Sequence, residues 1–204
     1  MGTTEKMIIY QVFTRLFGSK NIGCRPNGTL AENGCGKMDD FTEQALHKIK
    51  ELGATHIWYT GLIAHATQTD YSAYGIPKDH PSVVKGKAGS PYAIKDYYDI
   101  DPDLAVHVDK RMEEFEALVK RTHICGMKVI MDFVPNHVAR QYHSLARPEG
   151  VKDLGENDDS SLAFSPNNNF YYIPGEKLQG EVDLYDPESG VAYEEFPAKA
   201  TGNN

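Results

Sequence analysis

Residues 126–137 read Gly-Met-Lys-Val-Ile-Met-Asp-Phe-Val-Pro-Asn-His, a glycine followed by an apolar run that ends in polar residues. A run of apolar and β-branched residues bounded by glycine is typical of a buried strand, so we predict a strand over residues 127–134. A helix is predicted before it, with Asp109 as its N-cap and Gly126 as its stop. The apolar residues at helical spacing are Met112, Phe115, Leu118 and Val119.

The same order of elements occurs earlier in the chain. Asp40 is a plausible N-cap for a helix that ends at Gly53, and residues 55–59 (THIWY) form the next apolar run. Residues 7–13 (MIIYQVF) predict a first strand. Helix, glycine and strand therefore appear twice after an initial strand, which predicts parallel strands joined by crossover helices and hence an α/β fold.

Two long irregular stretches follow predicted strands. Residues 63–103 are dense in Tyr, Asp, Gly and Pro, and the chain after residue 137 is again polar and without periodicity. Both stretches follow the carboxyl end of a strand. Ligands bind at that edge in βα barrels and in open α/β sheets, so we expect functional loops there.

Composition excludes several classes of partner. The chain has 204 residues, 21 basic and 29 acidic, and a formal net charge of -8 without a Lys/Arg stripe. Nucleic acid and membrane are therefore not expected as partners, and no window approaches the roughly 20 apolar residues of a membrane span. Localisation stays open between the cytoplasm and a secreted or periplasmic location.

The three cysteines do not form a recognisable metal or disulfide framework. Their count is odd and no paired CxxC spacing occurs, which argues against a zinc site. Cys24 and Cys35 share one Gly-rich loop over residues 18–36 and could form a disulfide. Cys125, beside an apolar strand, is expected to be a buried packing residue.

Three polar side chains stand at the end of the third predicted strand. Asp132, Asn136 and His137 lie within six residues where strand meets loop, so they can project toward one cleft. Taken alone, this pattern fits a purely structural role, with a hydrogen-bonded Asp and a loop His, as well as it fits a binding cleft.

The hexapeptide DFVPNH resembles the first conserved motif of the α-amylase family of glycoside hydrolases. Companion segments occur in the family's order, namely IYQVF, ELGATHIWYTGLI and SPYAIKDYYDIDP. The resemblance covers most of residues 8–137. It implies an α/β fold that is a partial (β/α)8 TIM barrel, with the first three strands in residues 1–137 and an incomplete domain B insertion in residues 138–204.

The resemblance also implies roles for single residues. Tyr92 is similar to the aromatic residue that stacks on the sugar beside the scissile bond, and His137 to the histidine that hydrogen-bonds the same sugar. Asp132 is similar to the carboxylate that orients neighbouring active-site groups, and Asn136 to a ligand of a structural calcium. These four residues are expected around one concavity. The implied partner is an α-glucan or maltooligosaccharide.

The sequence also departs from the family pattern. Gly61 stands where many members have proline, and the family's Gly-x-Arg-x-Asp nucleophile pattern does not occur, nor do its acid Glu and its later Asn-His-Asp. Retaining hydrolysis needs two carboxyl groups, so we expect this chain alone to be inactive. It is interpreted as the amino-terminal portion of a retaining α-glucan hydrolase or, alternatively, as a non-catalytic carbohydrate-binding or interaction fragment. Self-association through open strand edges is also expected.

Overall fold

The computed structural model describes residues 6–21, 23–179, 185–186 and 190–200, with the backbone alone at 185–186. The chain forms two compact units. The first combines Met1–Ile63 with Ile100–Phe133, and the second combines Ala64–Asp99 with Val134–Asn204. In this division residues 64–99 group with the carboxyl-terminal part of the chain. The domain boundary expected after residue 137 stays a prediction.

The first unit contains a three-stranded parallel sheet. Its strands are β1 (Ile9–Phe13), β2 (His56–Thr60) and β5 (Lys128–Met131), in the order β1-β2-β5. Each predicted strand is confirmed, β1 and β5 as shorter strands and β2 shifted by one residue, and the parallel pairing is confirmed as well. The carboxyl ends of all three strands therefore lie at the same edge of this sheet.

Three helices complete the first unit, α1 (Leu30–Asn33), α2 (Glu43–Glu51) and α3 (Arg111–Ile124). Both long helices were expected, and Gly53 and Gly126 follow them with φ of 88° and 74°, the left-handed conformation that favours glycine. The short helix α1 was not expected in the Gly-rich loop.

The predicted N-caps are wrong. Asp40 lies in a 3-10 turn, Met38–Asp40, where its carboxylate accepts the Lys37 backbone N–H at 2.7 Å. With that carboxylate engaged, the Thr42 hydroxyl caps α2 by accepting the Ala45 N–H at 3.2 Å. Asp109 likewise lies in a 3-10 turn, Val108–Lys110, before α3 begins.

The core of the first unit lies between the sheet and its helices. The ring of Phe41 stacks on Phe17 with centroids 4.0 Å apart and meets Tyr59 edge-on at 4.9 Å. Burying each large apolar side chain contributes roughly 1.5–3 kcal/mol. Residues of this core that are almost fully buried include Met38, Phe41, Leu46, Ile57, Tyr59, Leu62, Leu104, Leu118 and Met127.

The expectation for Cys125 is confirmed, whereas the disulfide considered for Cys24 and Cys35 is not. Cys125 is buried in this core, as expected. Cys24 is exposed, Cys35 is half-buried, and both thiols are free, so the disulfide considered for them is not formed. Burial, with the carboxylate of Asp103 as the next cause, raises the pKa of the Cys35 thiol to about 12.

The second unit is built from short strand pairs. Strand β3 (Ile63–His65) pairs with β4 (Ile94–Ile100), with Ile63 and Ile100 themselves assigned to the first unit. Strand β6 (Tyr172–Ile173) pairs with β9 (Ala198–Lys199), and β7 (Tyr185–Asp186) pairs with β8 (Val191–Ala192), both antiparallel. The expectation that residues 63–103 are irregular is therefore wrong for β3 and β4.

Short 3-10 turns interrupt the rest of the chain between β3 and α3. They are Ser72–Tyr74, Pro81–Val83, Pro102–Leu104 and the Val108–Lys110 turn already described. No helix in the described part of the chain is long and apolar enough to cross a membrane.

Candidate functional site

Asp132 directly follows the last residue of β5 and is bonded to the neighbouring strand. The indole Nε1–H of Trp58, on β2, donates to Asp132 Oδ1 at 2.5 Å. Asp132 Oδ2 is buried and has no hydrogen-bond partner among the residues that the structure describes. The hydrogen bond to Oδ1 orients the carboxylate, and Oδ2 is able to accept a hydrogen bond from a further donor. Trp58 had not been singled out from the sequence.

The last four motif residues, Val134 to His137, belong to the second unit and are held there by Tyr97 of β4. The Tyr97 hydroxyl donates to the Val134 carbonyl and, at 3.4 Å, is also near the His137 carbonyl. The Tyr97 hydroxyl is a protonated donor at neutral pH, and burial raises its pKa further above the ordinary value of 10.0. Tyr97 therefore fixes the backbone of the motif loop rather than a side chain in it.

The chain after the motif runs along β4. The Ala139 N–H donates to the Ile94 carbonyl at 2.8 Å, and the His143 N–H donates to the Lys95 carbonyl at 3.1 Å. These bonds satisfy backbone groups of β4 that its single strand partner leaves over. The loop that carries His137 is thus anchored on both of its sides.

Asp96 secures the next segment. Its buried carboxylate accepts the Ser144 hydroxyl at 2.6 Å and the backbone N–H groups of Leu145 and Ala146 at 2.7 and 3.2 Å. It also accepts the Tyr98 N–H at 2.8 Å. Four donors match the roughly four acceptor positions of a carboxylate, which satisfies the buried charge. Asp96 lies within the segment SPYAIKDYYDIDP, but nothing in the local pattern distinguishes it from its neighbours.

The side chains expected to contact substrate differ in exposure. Tyr92 lies shortly before β4 with 42% of its surface exposed, and its backbone N–H donates to Ser90 Oγ at 3.3 Å. A half-exposed ring is available for stacking on an apolar sugar face. His137 is half-buried, and Asn136 is exposed in a turn.

The four expected site residues fall in both units, Asp132 in the first and Tyr92, Asn136 and His137 in the second. Their gathering around one concavity therefore stays a prediction. The same holds for calcium. Within residues 6–21, 23–179 and 190–200, no group of three or more His, Cys, Asp or Glu side chains could hold a metal. Asn136 would supply one oxygen ligand to a calcium ion, and one ligand is not a complete calcium site.

Comparison with known proteins identifies the family of this chain. Residues 11–181 match the family model "Alpha amylase, catalytic domain". Maltase 1 of Drosophila virilis is 36% identical over 170 residues, which cover 79% of this chain and 21% of the maltase. A cyclomaltodextrin glucanotransferase of Bacillus sp. (strain 1-1) is 28% identical over 142 residues, 65% of this chain and 18% of that enzyme.

Among solved structures, a noncanonic maltogenic α-amylase from Thermotoga neapolitana is similar with a TM-score of 0.45 and 29% identity, over 67% of this chain and 25% of that one. The chain spans about a fifth of the length of the two curated relatives, 21% and 18%. The family model, in contrast, matches most of this chain. The protein therefore belongs to the α-amylase family, and its α/β fold is a part of that family's (β/α)8 barrel with the segment inserted after the third strand.

Proposed function

We propose that this chain is the amino-terminal portion of a retaining enzyme that cleaves α-glucosidic linkages in starch-like glucans. The observation that carries the proposal is the match of residues 11–181 to the α-amylase catalytic domain. The position of Asp132 immediately after a parallel strand supports it, because that edge of a βα barrel carries its active site.

In this proposal the chain contributes part of a sugar subsite. Tyr92 stacks on a pyranose ring, and His137 hydrogen-bonds hydroxyls of the same sugar. Asp132, oriented by the indole of Trp58, offers its second carboxylate oxygen to a neighbouring active-site donor. The exposed amide of Asn136 contributes one oxygen ligand to a structural calcium, a cation that takes six to eight oxygen ligands.

The bond-breaking carboxylates come from elsewhere in this proposal. A retaining glycosidase needs a nucleophile and an acid whose carboxyl groups lie about 5 Å apart across the glycosidic bond. The family's Gly-x-Arg-x-Asp pattern is not among these 204 residues. The contribution of this chain is therefore binding and orientation, which precede the covalent step.

Sugar binding can be tested apart from catalysis by titrating the chain with maltoheptaose and following its amide resonances. We expect resonances of residues 132–137 to shift, and Tyr92→Ala to weaken binding about two- to tenfold, since an aromatic contact contributes roughly 0.5–1.5 kcal/mol. Tyr74→Ala is the matched control, because Tyr74 is also exposed, at 51%, in the same unit.

Equal loss in both tyrosine variants would contradict the assigned subsite. A second assay measures release of reducing sugar from starch. We expect none from this chain, and turnover that persists through repurification would contradict the assignment of the catalytic carboxylates to other segments. Binding without turnover, even when the chain is extended by the remaining barrel strands, would favour the non-catalytic alternative.

A further inference from the structure

A cavity of about 380 Å³ in the second unit is lined by cationic side chains. Four lining residues are basic, namely Lys78, Lys95, Arg140 and Lys199, and Asp79 is the one carboxylate in the lining. Tyr92, Asn136 and His137 are not in this lining. The volume is in the range of small-molecule sites, about 300–1,000 Å³.

Two of the four cations are neutralised by buried ion pairs. Lys95 Nζ lies 2.9 Å from Asp79 Oδ2, with 8% and 2% of the two side chains exposed. Arg140 Nη1 lies 3.0 Å from Glu195 Oε1, with 13% and 10% exposed. Breaking either pair would leave an uncompensated buried charge, so we expect both pairs to stay formed and to be unavailable to a ligand.

Among the described residues neither Lys78 nor Lys199 forms a side-chain ion pair, although the Glu195 carboxylate accepts the Lys199 backbone N–H at 2.6 Å. Lys199 Nζ donates to the Arg140 carbonyl at 2.7 Å, a neutral acceptor, and lies 5.3 Å from the centre of the Phe170 ring. Lys78 is exposed at the rim. The cavity therefore holds a surplus of positive charge in a chain whose net charge is -8.

Burial is the main influence on the ionisation of Lys199. Burial lowers the pKa of its ammonium group, Glu195 partly opposes that shift, and the nearby Arg140 guanidinium adds to it. An anion placed in the cavity would favour the charged form of Lys199. The electrostatic cost of burying this lysine would then be offset by the ligand.

We propose that this cavity binds a phosphate group, either as free phosphate or on a small metabolite such as a sugar phosphate. Lysine ammonium groups act as point charges for phosphate oxygens, and charge-assisted hydrogen bonds are roughly twice as strong as neutral ones. The site goes beyond the proposed glucan function, because a neutral glucan has no charge to match these cations.

The test is a calorimetric titration of the 204-residue chain with inorganic phosphate, glucose 6-phosphate and glucose. Both phosphates are expected to bind saturably and glucose is not expected to bind at this cavity. A tighter fit of glucose 6-phosphate identifies a phosphorylated sugar, and equal affinities identify the free oxyanion. In parallel, the pKa of Lys199, followed by its side-chain carbon resonance, should rise when phosphate is added.

Variants separate this site from general charge attraction. Lys78→Gln, at the exposed rim, should weaken phosphate binding about two- to fivefold, as expected for an exposed ion pair. Lys199→Gln should weaken it about tenfold or more. Lys152→Gln is the control, because it removes the same charge from an exposed lysine that does not line the cavity. No saturable binding, or equal weakening by Lys152→Gln and Lys78→Gln, would overturn the proposal.

Discussion

The indole N–H of Trp58 donates a 2.5 Å hydrogen bond to the Asp132 carboxylate, across 74 residues of sequence. Both residues lie in the first unit, Trp58 within β2 and Asp132 just beyond β5. The bond joins adjacent parallel strands at the carboxylate that directly follows β5. Trp58 is also the single tryptophan of the chain, so its fluorescence reports on this contact.

Trp58→Phe is expected to lower the free energy of unfolding by about 1–3 kcal/mol, because it removes the donor to the half-buried Asp132 carboxylate. Unfolding in urea, followed by circular dichroism, measures the change. A double-mutant cycle with Asp132→Ala should show a coupling of about 0.5–3 kcal/mol. Strictly additive effects of the two substitutions would mean that the bond contributes nothing to stability.

We expect the folded chain to lose stability at alkaline pH because of Tyr59. Its fully buried hydroxyl lies 2.7 Å from Thr122 Oγ1, and burial raises its pKa from 10.0 to about 12. The folded chain thus binds this proton more tightly than the unfolded chain, so the stabilisation is complete below pH 10 and is lost as pH rises through about 12.

The total loss from Tyr59 should be at most about 2–3 kcal/mol, since each unit of pKa shift corresponds to about 1.4 kcal/mol. Unfolding measured as a function of pH tests this. Tyr59→Phe should give a flatter decline over the same interval. An unchanged slope would show that other groups dominate alkaline unfolding.

Asp96→Ala should loosen the segment after the motif. Four donors lose their acceptor, and we expect a destabilisation of at least about 3 kcal/mol, with faster amide exchange at Leu145 and Ala146. Asp159→Ala is the control, because exposed Asp159 accepts only the local bonds of Ser161. Similar exchange rates in the two variants would argue against Asp96 as the anchor.

Self-association should depend on the groove beside β5. An apolar depression of about 820 Å³ is lined by residues that include Phe115, Ile124, Val129 and Met131 of α3 and β5. Because β5 is an outer strand of its sheet, we expect the chain to associate with a second copy in sedimentation experiments.

Ile124→Lys should reduce this association by placing a charge in the groove. Leu16→Lys is the matched control, since Leu16 is 66% exposed, Ile124 is 65% exposed, and Leu16 does not line the groove. A monodisperse monomer of the unsubstituted chain, with strong amide protection in β1 and β5, would contradict the prediction of self-association.

Local pattern was sufficient for the strands and helices of the first unit. The spacing of apolar residues predicted α2, α3 and the three parallel strands, because periodicity along the chain directly reflects which face is buried. The glycine stops at Gly53 and Gly126 were predicted for the same kind of local reason, a backbone conformation that side chains disfavour. The match to the α-amylase catalytic domain confirms the family that the DFVPNH hexapeptide indicated.

Tertiary contacts decided what local pattern could not. Asp40 was predicted as an N-cap, but its carboxylate accepts a backbone N–H within the turn before α2. Strand β4 was not predicted, because it lies in a stretch rich in turn-forming residues. Trp58 with Asp132, Asp96 with Ser144, and Arg140 with Glu195 are separated by 74, 48 and 55 residues. Hydrogen bonds and ion pairs between distant residues depend on where the fold brings the chain together, and sequence spacing carries no record of that distance. The sequence by itself determined the parallel strands and the two long helices of the first unit and the family, and the fold alone determined which polar groups meet.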